Sequence, residues 1–347
     1  MSLLYPDRSE MLGRVGVVIP AWFSRHLPVA EAEGLLYTTL VGSPSCVQPE
    51  DIVVVVDGSP VASAAAAAVL ERLTAEWGQP FTILELQENQ GKGAALTVGI
   101  RHLLERPGIP LLWIAARDAD GDHLIDDLPH LYRTGGQVVE ENAGRPVAVI
   151  GRRASVHAPL GWLRGEFELL VNEVLVEGVA YALTRYARVW DTRYLVTRAP
   201  DLQSGYKLYS RSAAEVALRA FQAETLAHPD LQILRTGMEI VPVVSIALEG
   251  GVFAEVERKT FYDQPVTSYG NVDLAQFFGS KLAWALRRCG VPAGPALTLF
   301  DGALARRPLF TDPRGREEAL RTRATLLELL GGAQFEVPTE PRVRRFL

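Results

Sequence analysis

Ile52-Val53-Val54-Val55-Val56-Asp57-Gly58-Ser59 is the stretch that decides the fold. Its apolar part shows no polar alternation, so it reads as a strand buried on both faces rather than wetted on one. It stops at an Asp-Gly pair, which is turn chemistry. Runs of the same kind stand at 15–19, 81–86, 111–115 and 147–150. Helical patterns fill the gaps at 62–77, rich in alanine, and at 94–104. Strand, helix, strand in this order predicts an α/β, Rossmann-like, doubly wound sheet, whose ligands bind at the carboxyl ends of the strands. Pro20, Asp57 and Asp118 each stand where an apolar run ends.

With 347 residues, 48% hydrophobic and 22% charged, the chain is long enough for a large core and too apolar for wholesale disorder. A formal net charge of −6 argues against a broad nucleic-acid surface but leaves room for a local phosphate pocket. Cys46 and Cys289 have no metal-ligand spacing, which disfavours a disulfide framework and suggests a reducing cytoplasm. No apolar run approaches the roughly 20 residues of a membrane-spanning helix, so any membrane contact is expected to be peripheral.

Downstream, residues 160–186 read as mostly helical and 201–210 as a turn-rich return. Helices are expected at 238–248, 274–288 and 317–330, a short strand at 253–256, a linker at 290–295 and a mobile tail at 342–347.

Asp118-Ala119-Asp120-Gly121-Asp122-His123 brings carboxylates spaced by one residue into a tight turn. Hard divalent cations such as Mg²⁺ or Mn²⁺ take oxygen ligands and bridge them to phosphates, so Asp118, Asp120 and Asp122 are the candidate metal ligands. Turn-forming propensity alone explains such a triplet in many proteins; the buried strand before it and His123 after it favour the metal reading. In Asn89-Gln90-Gly91-Lys92-Gly93, two glycines permit close backbone approach and Lys92 offers a compact charge to a phosphate. It is not a Walker loop, because neither Ser nor Thr follows Lys92. Arg152, Arg153 and Arg164 are candidates to close over a pyrophosphate, or else form a solvated basic face.

Taken together, these segments resemble the family 2 glycosyltransferases of the GT-A fold, especially the polyprenol-phosphate sugar synthases. The resemblance runs from Val17-Val18-Ile19-Pro20-Ala21 through Asp57-Gly58-Ser59, the Lys92 loop and the Asp118 turn. It continues in Asp201-Leu202-Gln203-Ser204-Gly205-Tyr206-Lys207-Leu208-Tyr209-Ser210-Arg211, in Met238-Glu239 and in Glu255-Val256. This chain departs from the family at Val56, where an acidic residue is usual, at Asp122 for glutamine, and at Lys207 for arginine. Gln264 and Thr267-Ser268-Tyr269-Gly270 stand where an arginine and a Gly-x-Ser-Lys signature are expected.

The resemblance implies a GT-A domain with a doubly wound mixed sheet over residues 12–270, its nucleotide-sugar half at 12–150 and its acceptor half at 151–270, followed by a helical C-terminal extension at 271–347. It implies a metal-dependent transfer from a UDP- or GDP-sugar, with inversion, to a polyprenyl phosphate or a small soluble hydroxyl compound. Pro20, Ala21, Asp57, Lys92, Asp118 and Lys207 carry over as nucleotide-sugar contacts, joined by Arg153 from the basic cluster, and Asp201 and Glu239 carry over as catalytic carboxylates. The rivals are a non-catalytic nucleotide-sugar-binding protein and a sugar-nucleotide pyrophosphorylase, the latter disfavoured because no glycine-rich, arginine-containing loop follows the first strand. The extension is suited to covering the site, to forming an oligomer or to docking on a membrane.

Overall fold

A computed structural model describes residues 8–108, 110–197, 199–228, 231, 233–236, 239–259 and 273–331. In chain order the first half is β1 (Val15–Ala21), α1 (Val29–Leu40), β2 (Ile52–Asp57), α2 (Pro60–Trp77), β3 (Thr82–Leu86), α3 (Lys92–Glu105), β4 (Trp113–Ala116), α4 (Leu128–Glu141) and β5 (Val147–Arg153). The second half is α5 (His157–Leu160), α6 (Trp162–Thr184), β6 (Lys207–Ser210), α7 (Arg211–Ala227), α8 (Ile233–Thr236), α9 (Ile240–Leu248), β7 (Val252–Arg258), α10 (Leu274–Arg288), α11 (Ala293–Leu304) and α12 (Pro313–Leu329).

Among the described residues the strands form a seven-stranded sheet in the order β3-β2-β1-β4-β6-β5-β7. All neighbours run parallel except β6, which is antiparallel to both β4 and β5. The valine run behaves as a two-sided strand should. Val53 and Val55 face one apolar cluster, while Ile52, Val54 and Val56 face the other. Burying each such side chain contributes on the order of 1.5–3 kcal/mol before chain entropy is set against it. On one face α1, α2 and α4 supply Leu36, Val69 and Leu131; on the other α3, α6, α7, α9, α10, α11 and α12 supply Leu103, Phe167, Phe221, Ile246, Phe278, Phe300 and Leu326. The α/β, doubly wound, mixed-sheet expectation is borne out, as is the helical C-terminal region.

Local signals explain where α2 begins and ends. Ser59 caps it by accepting the Ala62 N–H at 3.1 Å, Pro60 occupies its first position, and Gly78 ends it in the left-handed conformation at φ 75°.

Some elements depart from expectation. The turn-rich return at 201–210 contains β6, whose pairing with two strands at once makes the sheet mixed. The strand expected at 253–256 extends over Val252–Arg258. The linker expected at 290–295 is instead a tight turn, with Gly290 at φ 64°, running straight into α11. α10 packs against α6, with Phe278 stacked on Phe167 at 5.5 Å, so the C-terminal helices share the main core. The expected division at 270/271, Met238, Gln264, the 267–270 segment and the 342–347 tail lie outside the described residues.

Candidate functional site

The site assembles at the carboxyl ends of β1, β2 and β4. Pro20 and Ala21 close β1 and pair with Val55 and Val56, which brings them beside Asp57 at the end of β2. Buried Asp57 accepts hydrogen bonds from the Gln90 N–H at 2.7 Å and the Gly91 N–H at 2.8 Å. Its carboxylate therefore orders the loop that opens α3. Gly58 permits this, because a Cβ there would stand 2.2 Å from the Asn89 nitrogen. Gly91, at φ 100°, and Gly93 let Leu234 of α8 lie directly against the loop, and Arg235 donates to the Asn89 side chain at 2.9 Å.

Lys92, the first residue of α3, reaches across to the turn after β4. Its Nζ lies 2.5 Å from Asp118 Oδ1 and 3.5 Å from Glu239 Oε1, at the start of α9. A third predicted segment backs this pair: a Cβ on Gly205 would stand 2.7 Å from Asp118 Oδ2 and 3.0 Å from Lys92 Nζ. The sequence segments around Lys92, Asp118, Gly205 and Glu239 thus meet at one point. The ion-pair partners of Glu239 are thus lysines, Lys92 at 3.5 Å and Lys281 at 3.4 Å.

The turn itself is stiffly held. Asp118 N–H donates to His123 Nδ1 at 2.8 Å, and His123 stacks on Tyr206 at 4.9 Å. Burial, then the charges of Arg258 and Lys92, keep His123 well below the usual imidazole range, so it is neutral. Asp120 is pushed up to about 7, first by burial and then by the neighbouring Asp118 charge. Two carboxylates held together at that cost are a donor set suited to a divalent cation, whose charge would offset both effects. Asp122 is placed differently. Its Oδ2 is 3.1 Å from Arg258 Nη2, and its carbonyl accepts from Arg258 Nη1 at 3.0 Å. Among the described residues no group of three His, Cys, Asp or Glu side chains is arranged to hold a metal, so Asp118, Asp120 and Asp122 do not converge as a triad here.

Arg153 and Asp201 form a separate buried unit. Arg153 Nε and Nη2 donate to the two Asp201 oxygens at 2.8 and 2.6 Å, and Arg153 Nη2 also meets Glu168 at 2.6 Å. Burial raises the pKa of Asp201, but the Arg153 charge and its hydrogen bonds outweigh it and hold the carboxyl below its usual range. Glu255 Oε1 accepts the Asp201 N–H at 2.8 Å. Lys207 is buried with its Nζ donating to the Ser204 carbonyl. Burial pushes it down to about 8 despite the charges of Glu239 and Asp201.

Two residues of this region escaped sequence reasoning. Arg258, at the end of β7, is 2% exposed and holds Asp122. Lys281, in α10, is 3% exposed and meets Gln203 and Glu239. The available signal was a lysine within the apolar face of an amphipathic helix.

Residues 45–136 match the family model described as glycosyl transferase family 2. That span carries Asp57, Lys92, Asp118, Asp120 and Asp122, and the family resemblance read from the sequence is borne out over it. A comparison with curated proteins gives no match. Among solved structures, the chain is similar to the mannosyltransferase PcManGT from Pyrobaculum calidifontis, in complex with GDP-Man and Mn²⁺. The two share 14% identity over 96% of this chain and 90% of that one, with a TM-score of 0.42. No helix among the described residues is long and apolar enough to cross a membrane.

Proposed function

We propose that this chain is a metal-dependent glycosyltransferase that moves a sugar, with inversion, from a UDP- or GDP-sugar to an acceptor. The observation that carries the reading is the meeting of Lys92 Nζ and Asp118 Oδ1 at 2.5 Å, within the family-matched span and at the strand ends where such sheets bind ligands. Asp118 and Asp120 are the residues that would hold Mg²⁺ or Mn²⁺, and a bound cation would act as a Lewis acid toward the departing diphosphate. Lys92 adds a compact positive charge on the same diphosphate. Asp57 fixes the loop that presents Lys92, while Pro20 and Ala21 border the nucleotide beside it. Lys207 adds a buried positive charge beside Glu239, while Arg153 serves the site by holding Asp201 in place.

The state of the two catalytic candidates supports one class of acceptor over the other. Asp201 is held acidic by Arg153. Burial raises Glu239, but Lys281, Lys92 and Lys207 together bring it below its usual range. Both are therefore poor proton acceptors near neutral pH. An acceptor that is already ionised, such as a polyprenyl phosphate, needs only positioning and is favoured over a neutral hydroxyl compound. In that case the enzyme works from the cytoplasm with a peripheral membrane contact.

The test is nucleoside-diphosphate release from UDP- and GDP-sugars, with Mn²⁺, against a short polyprenyl phosphate and a panel of soluble alcohols. Acceptor-dependent release that disappears in Asp120→Ala supports the reading. Release undiminished by that substitution removes the metal assignment, and no release from any pair removes the activity.

A further inference from the structure

The C-terminal helix α10 sends one charged side chain into the candidate site. Lys281 Nζ lies 2.9 Å from Gln203 Oε1 and 3.4 Å from Glu239 Oε2, and 4.1 Å from the centre of the Phe277 ring. The other Glu239 oxygen, Oε1, is the one that faces Lys92 at 3.5 Å. Each oxygen of this buried carboxylate therefore looks at a different lysine, and Lys92 is shared between Glu239 and Asp118.

We infer that Lys281 is a positioning residue: by taking half of Glu239, it leaves Lys92 on Asp118, where the diphosphate of the donor is bound. A buried carboxylate must be compensated by nearby positive charge. Without Lys281 the nearest ammonium to Glu239 is that of Lys92, only 3.5 Å away, and Glu239 draws it off Asp118. Lys207 also faces Glu239 electrostatically, but more weakly than either Lys281 or Lys92. Lys281 also presents only N–H donors to Gln203, which fixes the amide of Gln203 with its oxygen toward α10. The C-terminal region thus contributes to donor binding through charge balance without itself touching the donor. The inference rests on the glycosyltransferase reading for what Lys92 binds, but not for the arrangement of the charges.

The test uses the full chain with Lys281→Met, which keeps the length of the side chain between the phenylalanines, together with Lys281→Arg, Glu239→Gln and the double variant Glu239→Gln/Lys281→Met. UDP and GDP affinities are measured by calorimetry with Mn²⁺, below the melting temperature of each variant. Lys281→Met is expected to weaken the bound diphosphate by about tenfold, the scale of one lost charge contact, while Lys281→Arg stays within about threefold of wild type. In the double variant Glu239 no longer competes for Lys92, so affinity returns to that of Glu239→Gln. A purely packing role predicts a lower melting temperature for Lys281→Met with unchanged affinity, or a double variant as weak as Lys281→Met; either result overturns the inference. If wild type binds neither nucleotide, the functional reading fails, and a crystal structure of Lys281→Met then decides the inference alone. Lys92 Nζ moved onto Glu239 supports it, and Lys92 still on Asp118 overturns it.

Discussion

Lys92 Nζ stands 2.5 Å from Asp118 Oδ1, and the bare Cα of Gly205 closes the back of the pair. The two charges come from different segments, one opening α3 beside a loop held by Asp57 and one following β4 in a turn held by His123. Their contact leaves a lysine and a carboxylate side by side, partly exposed, at the strand ends. A diphosphate and a divalent cation are the partners that such a pair would take up together.

Gly205→Ala tests this geometry with one methyl group. The added Cβ would meet the far ends of two flexible side chains, so folding is expected to be nearly unaffected while Lys92 and Asp118 are pushed apart. Turnover should fall by about tenfold or more, with the melting temperature near that of wild type. Full activity in the variant would show that the pair is not where the donor binds.

Asp57→Ala leaves the Gln90 and Gly91 N–H groups without their acceptor. The expected loss is about 1–3 kcal/mol in urea unfolding, because the Gly91 amide is buried. Donor affinity should fall as well, since the same loop carries Lys92. Unchanged stability would mean that the loop holds its shape without the carboxylate.

Asp201 makes the acid side of the stability curve predictable. Its folded pKa lies below its unfolded value of about 3.9, so its contribution is fully present above that value and is lost as pH falls through the folded pKa. Asp201→Asn should be destabilised by roughly 3 kcal/mol near neutral pH, the low end for breaking a buried pair, because Glu168 still faces Arg153. Below about pH 4 the variant should lose stability less steeply than wild type. Parallel acid-side curves for the two proteins would contradict this.

Addition of Mn²⁺ alone should raise the melting temperature of the wild-type protein, since a ligand that binds only the folded state stabilises it. Chelation should reverse the rise, and Asp120→Asn should abolish it. An equal rise in both proteins would place the cation elsewhere.

The parallel strands were legible because burial on both faces writes itself as an unbroken apolar run, as at 52–56. The loops around Asp57, Lys92 and Asp118 were legible because turn chemistry follows each run. β6 was not, since Lys207-Leu208-Tyr209-Ser210 is too short for a period to show, and its strand character comes from β4 and β5 on either side. The roles of Arg258 and Lys281 were hidden for a related reason: each acts on a residue far away in sequence, Asp122 and Glu239. Asp122 shows the limit of spacing arguments. Sequence proximity offers it as a third metal oxygen, but the arginine at the end of β7 engages its carboxylate.

The most direct test of the central claim is the thermal shift of the full chain with UDP-, GDP- and ADP-sugars, each with and without Mn²⁺, on wild type, Lys92→Met and Asp118→Asn. A metal-dependent rise with one nucleotide class, absent in both variants, is the predicted result. Well-folded wild-type protein that melts at the same temperature with every donor, with and without Mn²⁺, would contradict the assignment of this site to a nucleotide sugar.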